Sequence, residues 1–292
     1  MVKANKNEGA NALKKVKRLC KEFGFTTGML IALSKFWDNV RCSFLLKKEN
    51  RANGDVLFQR IYHNHIRKCA GTSMNLAMIQ AMGGDSSTHK ELVQRKFHKI
   101  NLQLGSCVGW NTAAINRGSF FYAFSHEPLH RLKLNDSTFT FCFLRDPVER
   151  VISHYNMLKD LINDDPTHVA LIHEKKFAFG DFDHFLNNIP REHLEAQLFN
   201  FSSSYNVDEA IDNLRSHINF VCDVKEPNEE LLLFISSEFG LNINYRYLRA
   251  SKTKFKPSSH QYARLESMVS EEAKFMKKAK KYFGLNLKVR EP

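Results

Sequence analysis

The stretch LFQRIYHNHIRKCAGTSMNLAMI, residues 57–79, decides the fold of this 292-residue chain. Residues 57–62 are apolar or aromatic with two polar interruptions, which predicts a short buried strand. Residues 67–73, RKCAGTS, form a small basic turn that is rich in hydroxyl groups. Methionines then recur at every fourth position until a pair of glycines ends the pattern, which predicts a helix after the turn.

A strand, a turn of small residues and the start of a helix together form a geometry that binds phosphate. The first amides of a helix have no partner within the helix, and the helix dipole adds partial positive charge at that end. Gly71 allows the backbone to approach an anion, and Lys68 supplies a full positive charge. The predicted phosphate-binding residues are Arg67, Lys68, Cys69, Ala70, Gly71, Thr72 and Ser73.

The order of residues in this turn differs from that of nucleoside triphosphatases. Their phosphate loops place a lysine directly after the last glycine and before a serine or threonine. Here Lys68 comes three residues before Gly71, and Thr72 follows the glycine directly. The order argues against a nucleoside triphosphatase, and a basic turn ahead of a surface helix is the alternative for this segment alone.

A second stretch, TFTFCFLRDPVERVISHY at residues 138–155, also has the pattern of a strand followed by a helix. Residues 138–144 are apolar, aromatic or β-branched, which predicts a central strand. Asp146 can cap the next helix, Pro147 fits its first turn, and Glu149 stands three residues after the cap, as in a capping box.

Arg145 is therefore predicted at the carboxyl end of a strand, where ligands of open α/β sheets bind. Ser153 follows eight residues later, about two helical turns on, so its hydroxyl can point to the same side. A capped helix with a local arginine–glutamate pair would explain this stretch by itself, but it would not explain the basic turn around Gly71.

Together, KCAGTS at residues 68–73 and FLRDPVERVISHY at residues 143–155 resemble the sulfotransferases that use 3′-phosphoadenosine 5′-phosphosulfate. The resemblance is greatest to the carbohydrate type that includes the heparan sulfate 2-O-sulfotransferases. It implies that the basic turn binds the 5′-phosphosulfate of this sulfate donor. It also implies that Arg145 and Ser153 bind the 3′-phosphate.

A weaker likeness continues to the basic segment RASKTKFKP, residues 249–257. This segment resembles the loop that closes over the cofactor in the same family. The likeness implies that Arg249 and Lys252 contact the 3′-phosphate or the adenine, although a solvated run of charge would explain the segment equally well.

Strands that are separated by helical segments predict βαβ units and a mainly parallel sheet. The fold class we predict is α/β, a P-loop-like three-layer sandwich in which helices flank a central, mainly parallel sheet. Residues 47–55, KKENRANGD, are polar and contain a turn signal. We therefore predict a basic helical N-terminal extension over residues 1–54 and a sulfotransferase domain over residues 55–292.

The remaining segments give coarser predictions. Residues 83–118 are mixed, and we expect a short helix near residues 90–100 with irregular structure around it. The other elements that the patterns predict are strands at residues 119–125 and 217–224 and helices at residues 147–163, 182–188, 192–199, 226–239 and 258–283.

The formal net charge of +12 favours an anionic partner. An anionic nucleotide and a glycan acceptor both fit, and we predict no nucleic-acid partner because the basic runs lie at the two ends of the chain. The basic N-terminus can contact an anionic membrane surface. Two other classes stay open: a P-loop-type kinase of small molecules, and a non-catalytic protein that binds polyanions.

Six cysteines are present, without a CxxC pair or zinc spacing, and they indicate reduced thiols. No stretch reaches about 18 consecutive apolar residues, and no signal peptide is visible. The sequence thus predicts a cytoplasmic enzyme. Because carbohydrate sulfotransferases of the Golgi normally carry an anchor, the Golgi lumen is the alternative if an anchor is missing from this sequence.

Sulfuryl transfer needs positive charge at the leaving phosphate and a base at the acceptor hydroxyl. Lys68 is the expected electrophilic helper, and no metal is needed. His126 is our first choice as base because it ends a predicted strand, and a histidine with an ordinary pKa suits the task. Glu127 is the second choice, and His63 and His65 stay open. The acceptor is expected to be a carbohydrate, with lipids, phenols and tyrosine peptides as alternatives.

Overall fold

The computed structural model of the chain describes residues 57–94, 99–225, 229–245 and 251–283. The predicted N-terminal extension lies outside these ranges, and so does Arg249. Both therefore stay predictions.

A central sheet of six strands organises the described part of the chain. The strands are β1 (Arg60–Asn64), β2 (Lys99–Leu102), β3 (Gly105–Gly109), β4 (Tyr122–Ser125), β5 (Thr138–Leu144) and β6 (Phe220–Asp223). Their order across the sheet is β2-β3-β4-β1-β5-β6. All neighbouring pairs are parallel except β2 and β3, which are antiparallel. This sheet confirms the predicted α/β class.

Helices connect the strands and cover the sheet. They are α1 (Gly71–Ala81), α2 (Ser86–Gln94), α3 (Thr112–Arg117), α4 (Pro147–Asp164), α5 (Val169–Ala178), α6 (Phe182–Asn188), α7 (Arg191–Leu194), α8 (Ala196–Phe201), α9 (Val207–His217), α10 (Glu229–Phe239), α11 (Ser259–Met268) and α12 (Ser270–Phe283). A single 3-10 turn spans Leu129–Arg131.

Two apolar clusters hold these layers together. The larger one surrounds the sheet, where all seven residues of β5 are buried because parallel strands are covered on both faces. The smaller one lies among α4, α5, α6 and α11, and it includes a stack of Phe182 on Phe185 with ring centroids 5.9 Å apart. The second cluster gives α4 its own support away from the sheet.

Several predicted boundaries were wrong. The first strand is Arg60–Asn64 rather than residues 57–62, because Leu57 is 43% exposed while the polar end of the segment is buried and hydrogen-bonded. The segment predicted as a helix near residues 90–100 contains the end of α2 and the start of β2. Hydrophobic periodicity gives little signal for a four-residue strand such as β2, which has one exposed and three half-buried residues.

Further differences concern the later elements of the chain. The sequence analysis missed α9, and the predicted last helix is two helices, α11 and α12, that meet at Val269. The remaining strands, β4 and β6, are shorter than predicted. By contrast, β5, α6 and the start of α4 lie at the predicted residues.

Candidate active site

The carboxyl ends of four neighbouring parallel strands lie along one edge of the sheet. The residue that follows each strand is Trp110 after β3, His126 after β4, His65 after β1 and Arg145 after β5. This edge is where α/β sheets bind ligands. The parallel register therefore brings together residues from the two motifs that lie far apart in the sequence.

The phosphate loop, residues 65–70, connects β1 to α1 by a tight path. Lys68 and Ala70 have left-handed backbone conformations, with φ of 68° and 55°. Such conformations cost non-glycine residues about 1–3 kcal/mol each and are concentrated at functional sites. Ala70 is the N-cap of α1 and provides no side-chain cap; the Ser73 amide donates to the Ala70 oxygen over 3.2 Å, and the amides of Gly71 and Thr72 stand ahead of it at the helix start.

Gly71 is required by a close approach rather than by its backbone angles. The ring of His65 lies directly against its Cα, and a Cβ at this position would overlap the ring. His65 thus packs under the start of α1, and the loop folds over it. The glycine in this motif is explained by packing within the loop.

Arg145 joins the two motifs. Its Nη1 donates a hydrogen bond to the backbone oxygen of Lys68 over 3.4 Å, and its Nε lies 3.8 Å from the Glu149 carboxylate. This Nε is buried and has no hydrogen-bond partner among the residues that the structure describes. A buried guanidinium nitrogen without a partner is costly unless it binds a ligand, so Arg145 has capacity to bind an anion.

The helix after Arg145 is capped as predicted, because Asp146 Oδ1 accepts from the Glu149 backbone amide over 3.0 Å. Ser153 lies on α4 and is half-buried. Its place, about two helical turns after Arg145, leaves it available to the same ligand. No contact in the structure tests this role, which stays a prediction.

Arg67 points away from the helix start toward α5. Its guanidinium forms an ion pair with Glu174, whose other carboxylate oxygen lies 2.8 Å from His154 Nε2. Burial opposes ionisation of Glu174, but its hydrogen bond with His154 and the charge of Arg67 prevail and lower its pKa to about 2. Arg67 therefore fastens the phosphate loop to α4 and α5, and its predicted contact with a cofactor is untested.

His126 lies at the centre of the edge. Its Nδ1 is 2.5 Å from the backbone oxygen of His65, and because a carbonyl can only accept, Nδ1 carries the proton. The His126 ring contacts the rings of Trp110 and His65, with centroid distances of 4.2 and 4.3 Å. With the proton on Nδ1, Nε2 holds the lone pair of the neutral ring.

The pKa of His126 differs from the ordinary value that the sequence analysis expected. Burial lowers this pKa to about 3, the charge of Arg67 lowers it further, and the hydrogen bond to His65 opposes both. The imidazole is therefore neutral at pH 7 and can accept a proton at Nε2. Its intrinsic basicity is weak until negative charge is placed beside it.

His63 and His65 lie beneath His126 in a polar cluster around Asn75. Asn75 Oδ1 accepts from His63 Nδ1 over 2.6 Å and from the Tyr122 hydroxyl over 2.7 Å. Its amide nitrogen donates to His65 Nδ1 over 3.3 Å. Both histidines are buried, which lowers the pKa of His63 to about 4 and that of His65 well below its usual range.

Glu127 and Lys252 engage other partners. Glu127 is about one-third exposed, and its carboxylate lies 3.6 Å from Arg131. Lys252 forms a 2.6 Å ion pair with Asp164 at the far end of α4, where its backbone amide also donates to Asp160. Since α4 rises about 1.5 Å per residue, this ion pair lies about 25 Å along the helix from its first residue. Both roles stay predictions.

The sequence analysis missed three buried residues that support this edge. Glu174 fixes Arg67, as described above, and Gln197 and Glu272 form a hydrogen-bonded group behind Arg145. None lies within a recognised motif, and Glu272 is far from Arg145 in the sequence. A buried polar residue in an amphipathic segment gives no signal of its partner until the fold is known.

A model of the sulfotransferase family matches residues 58–201. This match identifies the part of the chain from β1 to α8 as a sulfotransferase-family domain. The match begins just before β1 and ends with the last residue of α8, so it includes the phosphate loop, His126 and Arg145. It supports sulfuryl transfer in general and leaves the donor, the acceptor and the carbohydrate subtype undecided. A search of curated proteins gives no match.

Three further observations describe the environment of this sulfotransferase site. The four cysteines in the described ranges are buried free thiols: Cys69, Cys107, Cys142 and Cys222. Within the same ranges, no group of three or more His, Cys, Asp or Glu side chains could hold a metal ion. No helix among the described residues combines the length and the apolar character that a membrane span requires.

Proposed function

We propose that this sulfotransferase moves a sulfuryl group from 3′-phosphoadenosine 5′-phosphosulfate to a hydroxyl group of a carbohydrate. One observation carries the proposal: the hydrogen bond from Arg145 to the backbone oxygen of Lys68, which brings the two motifs together at one edge of the sheet. His126 ends the strand on the other side of β1. The groups that would bind the sulfate donor and the proposed base thus lie at the same edge of the sheet.

The residues at this edge fit a donor that carries phosphate at both ends of a ribose. The uncapped amides at the start of α1, the charge of Lys68 and the Thr72 hydroxyl would hold the 5′ side. Arg145 and Ser153 would hold the 3′-phosphate, and the buried Arg145 Nε, which makes no hydrogen bond within the described residues, supplies the donor that such a phosphate needs. The bound donor supplies the sulfuryl group, with the bisphosphate as leaving group.

Lys68 is the residue that neutralises charge on the leaving phosphate. Its left-handed backbone places it at the bend of the phosphate loop, between β1 and the start of α1. Positive charge that is already positioned where negative charge develops lowers the barrier without reorganisation. Lys68 therefore contributes more to turnover than to ground-state affinity for the donor.

His126 is the base that the geometry favours. Its Nδ1–H is fixed by the His65 carbonyl, which leaves Nε2 free to accept the proton of an acceptor hydroxyl. Negative charge in the neighbouring donor site raises the pKa of His126 from about 3 and strengthens it as a base. Burial of His63 keeps that ring from the acceptor, and Glu127 faces Arg131 instead.

A carbohydrate acceptor rests on the resemblance of the two motifs to carbohydrate sulfotransferases. The aromatic neighbour of the base supports it, since Trp110 contacts the His126 ring edge to face at 4.2 Å. An indole beside the reacting hydroxyl provides an apolar surface for the carbon face of a sugar. A cytoplasmic location stays a prediction from the sequence.

Thermal unfolding with three ligands tests the donor assignment. Adenosine 3′,5′-bisphosphate should raise the melting temperature, because a ligand that binds only the folded state stabilises it. ATP with Mg²⁺ and a single-stranded oligonucleotide should raise it less at equal concentration. A larger shift with ATP and Mg²⁺ would indicate a kinase, and a larger shift with the oligonucleotide would indicate a polyanion-binding protein.

A further inference from the structure

The β5–α4 corner, Arg145 and Asp146, is held by one side chain from another part of the chain. Gln197 Oε1 accepts from the Arg145 backbone amide, and Gln197 Nε2 donates to the Arg145 backbone oxygen, both over 2.8 Å. Arg145 lies just past the last residue of β5, where the ladder with β6 ends. The amide of Gln197 therefore satisfies both backbone hydrogen-bonding groups of the first residue after β5.

The orientation of the Gln197 amide is fixed by further contacts. Its Nε2 also donates to Glu272 Oε1 over 2.9 Å, and its Oε1 lies 3.6 Å from the Cys69 thiol in the phosphate loop. A flipped amide would place its two N–H groups against the Arg145 amide and its oxygen against the Glu272 carboxylate. Such a flip would leave buried donors and acceptors without partners, which is costly.

Glu272, on α12, holds Gln197 from behind. Its carboxylate is fully buried and also accepts from the Gln197 backbone amide over 2.8 Å, from the Leu198 amide over 3.2 Å and from Arg150 Nε over 3.1 Å. It thereby caps the start of α8 and pairs with a cation of α4. In return, Glu195 Oε1 accepts from the Glu272 amide over 3.2 Å.

These contacts fix the backbone of Arg145, and with it the position of the Arg145 Cα from which the side chain extends. With its backbone amide and carbonyl both held, the peptide at the corner cannot rotate without breaking buried hydrogen bonds. The guanidinium then donates to the Lys68 oxygen, and its Nε, 3.8 Å from the Glu149 carboxylate, makes no hydrogen bond within the described residues. We propose that Gln197, held by Glu272, is a positioning residue for the contact between Arg145 and the 3′-phosphate of the donor, an inference that rests on the proposed function.

A role of Gln197 in folding alone would affect all ligands equally, so the test compares two nucleotides. Adenosine 3′,5′-bisphosphate engages both ends of the site, whereas adenosine 5′-monophosphate engages only the phosphate loop. Calorimetry gives the ratio of their affinities. In Gln197→Met, the bisphosphate should lose about tenfold in affinity and the monophosphate less than about threefold, because a charge-assisted contact is weakened only at the 3′ end.

Asn213→Leu is the matched control. Asn213 Nδ2 donates to the backbone oxygen of Phe201, at the other end of the helix that carries Gln197, over 2.8 Å. The control variant loses a similar amide-to-carbonyl hydrogen bond without touching Arg145. Its melting temperature should fall, and its ratio of affinities should stay at the wild-type value. Gln197→Asn, which keeps the amide but cannot reach both backbone groups, should behave like Gln197→Met.

The possible outcomes separate this proposal from the donor assignment. A wild-type chain without preference for the bisphosphate would refute the assignment of the 3′ site and this proposal with it. A wild-type preference that survives unchanged in folded Gln197→Met would refute the positioning role alone. If neither variant folds, the side-chain amide signal of Gln197 in the labelled wild-type protein should shift with the bisphosphate and not with the monophosphate. An unshifted signal would overturn the proposal.

Discussion

The two halves of the donor site are held in different ways. The turn of the phosphate loop depends mainly on neighbours in the sequence: His65 packs on Gly71, and the loop passes through two left-handed residues before α1, while distant Glu174 pairs with Arg67. The β5–α4 corner is built from distant residues, since Gln197 and Glu272 fix the backbone of Arg145. A short motif can specify most of the turn in the first half, whereas the second half needs the complete fold.

This difference predicts that variants of the two halves have different kinetic effects. Lys68→Ala should have the larger effect on turnover, by about 10²-fold or more, because its charge acts mainly on the leaving phosphate in the transition state. Affinity for adenosine 3′,5′-bisphosphate should fall much less. Steady-state kinetics together with calorimetry measure the two quantities. Turnover within a few-fold of the wild type would show that Lys68 is only a surface charge.

Arg145→Ala should show the reverse behaviour. Loss of a charge-assisted contact worth about 1.5–3 kcal/mol should weaken bisphosphate binding by about one to two decades. Binding of adenosine 5′-monophosphate should fall less, because the phosphate loop loses a single 3.4 Å hydrogen bond from Arg145. Calorimetry on both nucleotides, with melting temperature as the folding control, decides the point. Equal losses of affinity for the two nucleotides would mean that Arg145 does not bind the 3′-phosphate.

Gly71→Ala should have a smaller effect than the two charge-removing variants, and its main effect should be a lower free energy of unfolding. The new Cβ would overlap the His65 ring, and overpacking of this kind costs about 1–3 kcal/mol. Chemical denaturation measures the loss. Removing the ring in a Gly71→Ala, His65→Ala double variant should cost less than the sum of the two single changes. Strict additivity would contradict the local packing that we describe for the phosphate loop.

The contrast between local and distant contacts also explains which features the sequence could predict. The residues of β5 and the Asp146 cap follow from local patterns and were predicted correctly, whereas α1 begins at Gly71, inside the segment predicted as a turn. The strand β2 was missed, since a four-residue strand without a fully buried residue carries a weak periodic signal, and α9 was missed although Ala210, Ile211 and Leu214 are buried at helical spacing. Gln197 could not be found either, because its role depends on a contact across 52 residues.

The chemistry was predicted less well than the residues. His126 does lie at the end of a strand between the two motifs, as the pattern indicated. Its pKa, however, depends on burial by Trp110 and His65 and on the charge of Arg67, none of which the sequence places beside it. The ion pair of Arg67 with Glu174 likewise joins segments that no local pattern connects.

Transfer of labelled sulfate from 3′-phosphoadenosine 5′-phosphosulfate to a panel of glycans, phenols and tyrosine peptides tests the central claim most directly. The wild-type chain should label a glycan, and His126→Ala should lower that turnover by about 10²–10⁴-fold with nearly unchanged bisphosphate affinity. Glu127→Ala, measured beside it, should stay active. Label that appears only in phenols or peptides, or a dead Glu127→Ala beside an active His126→Ala, would contradict the account.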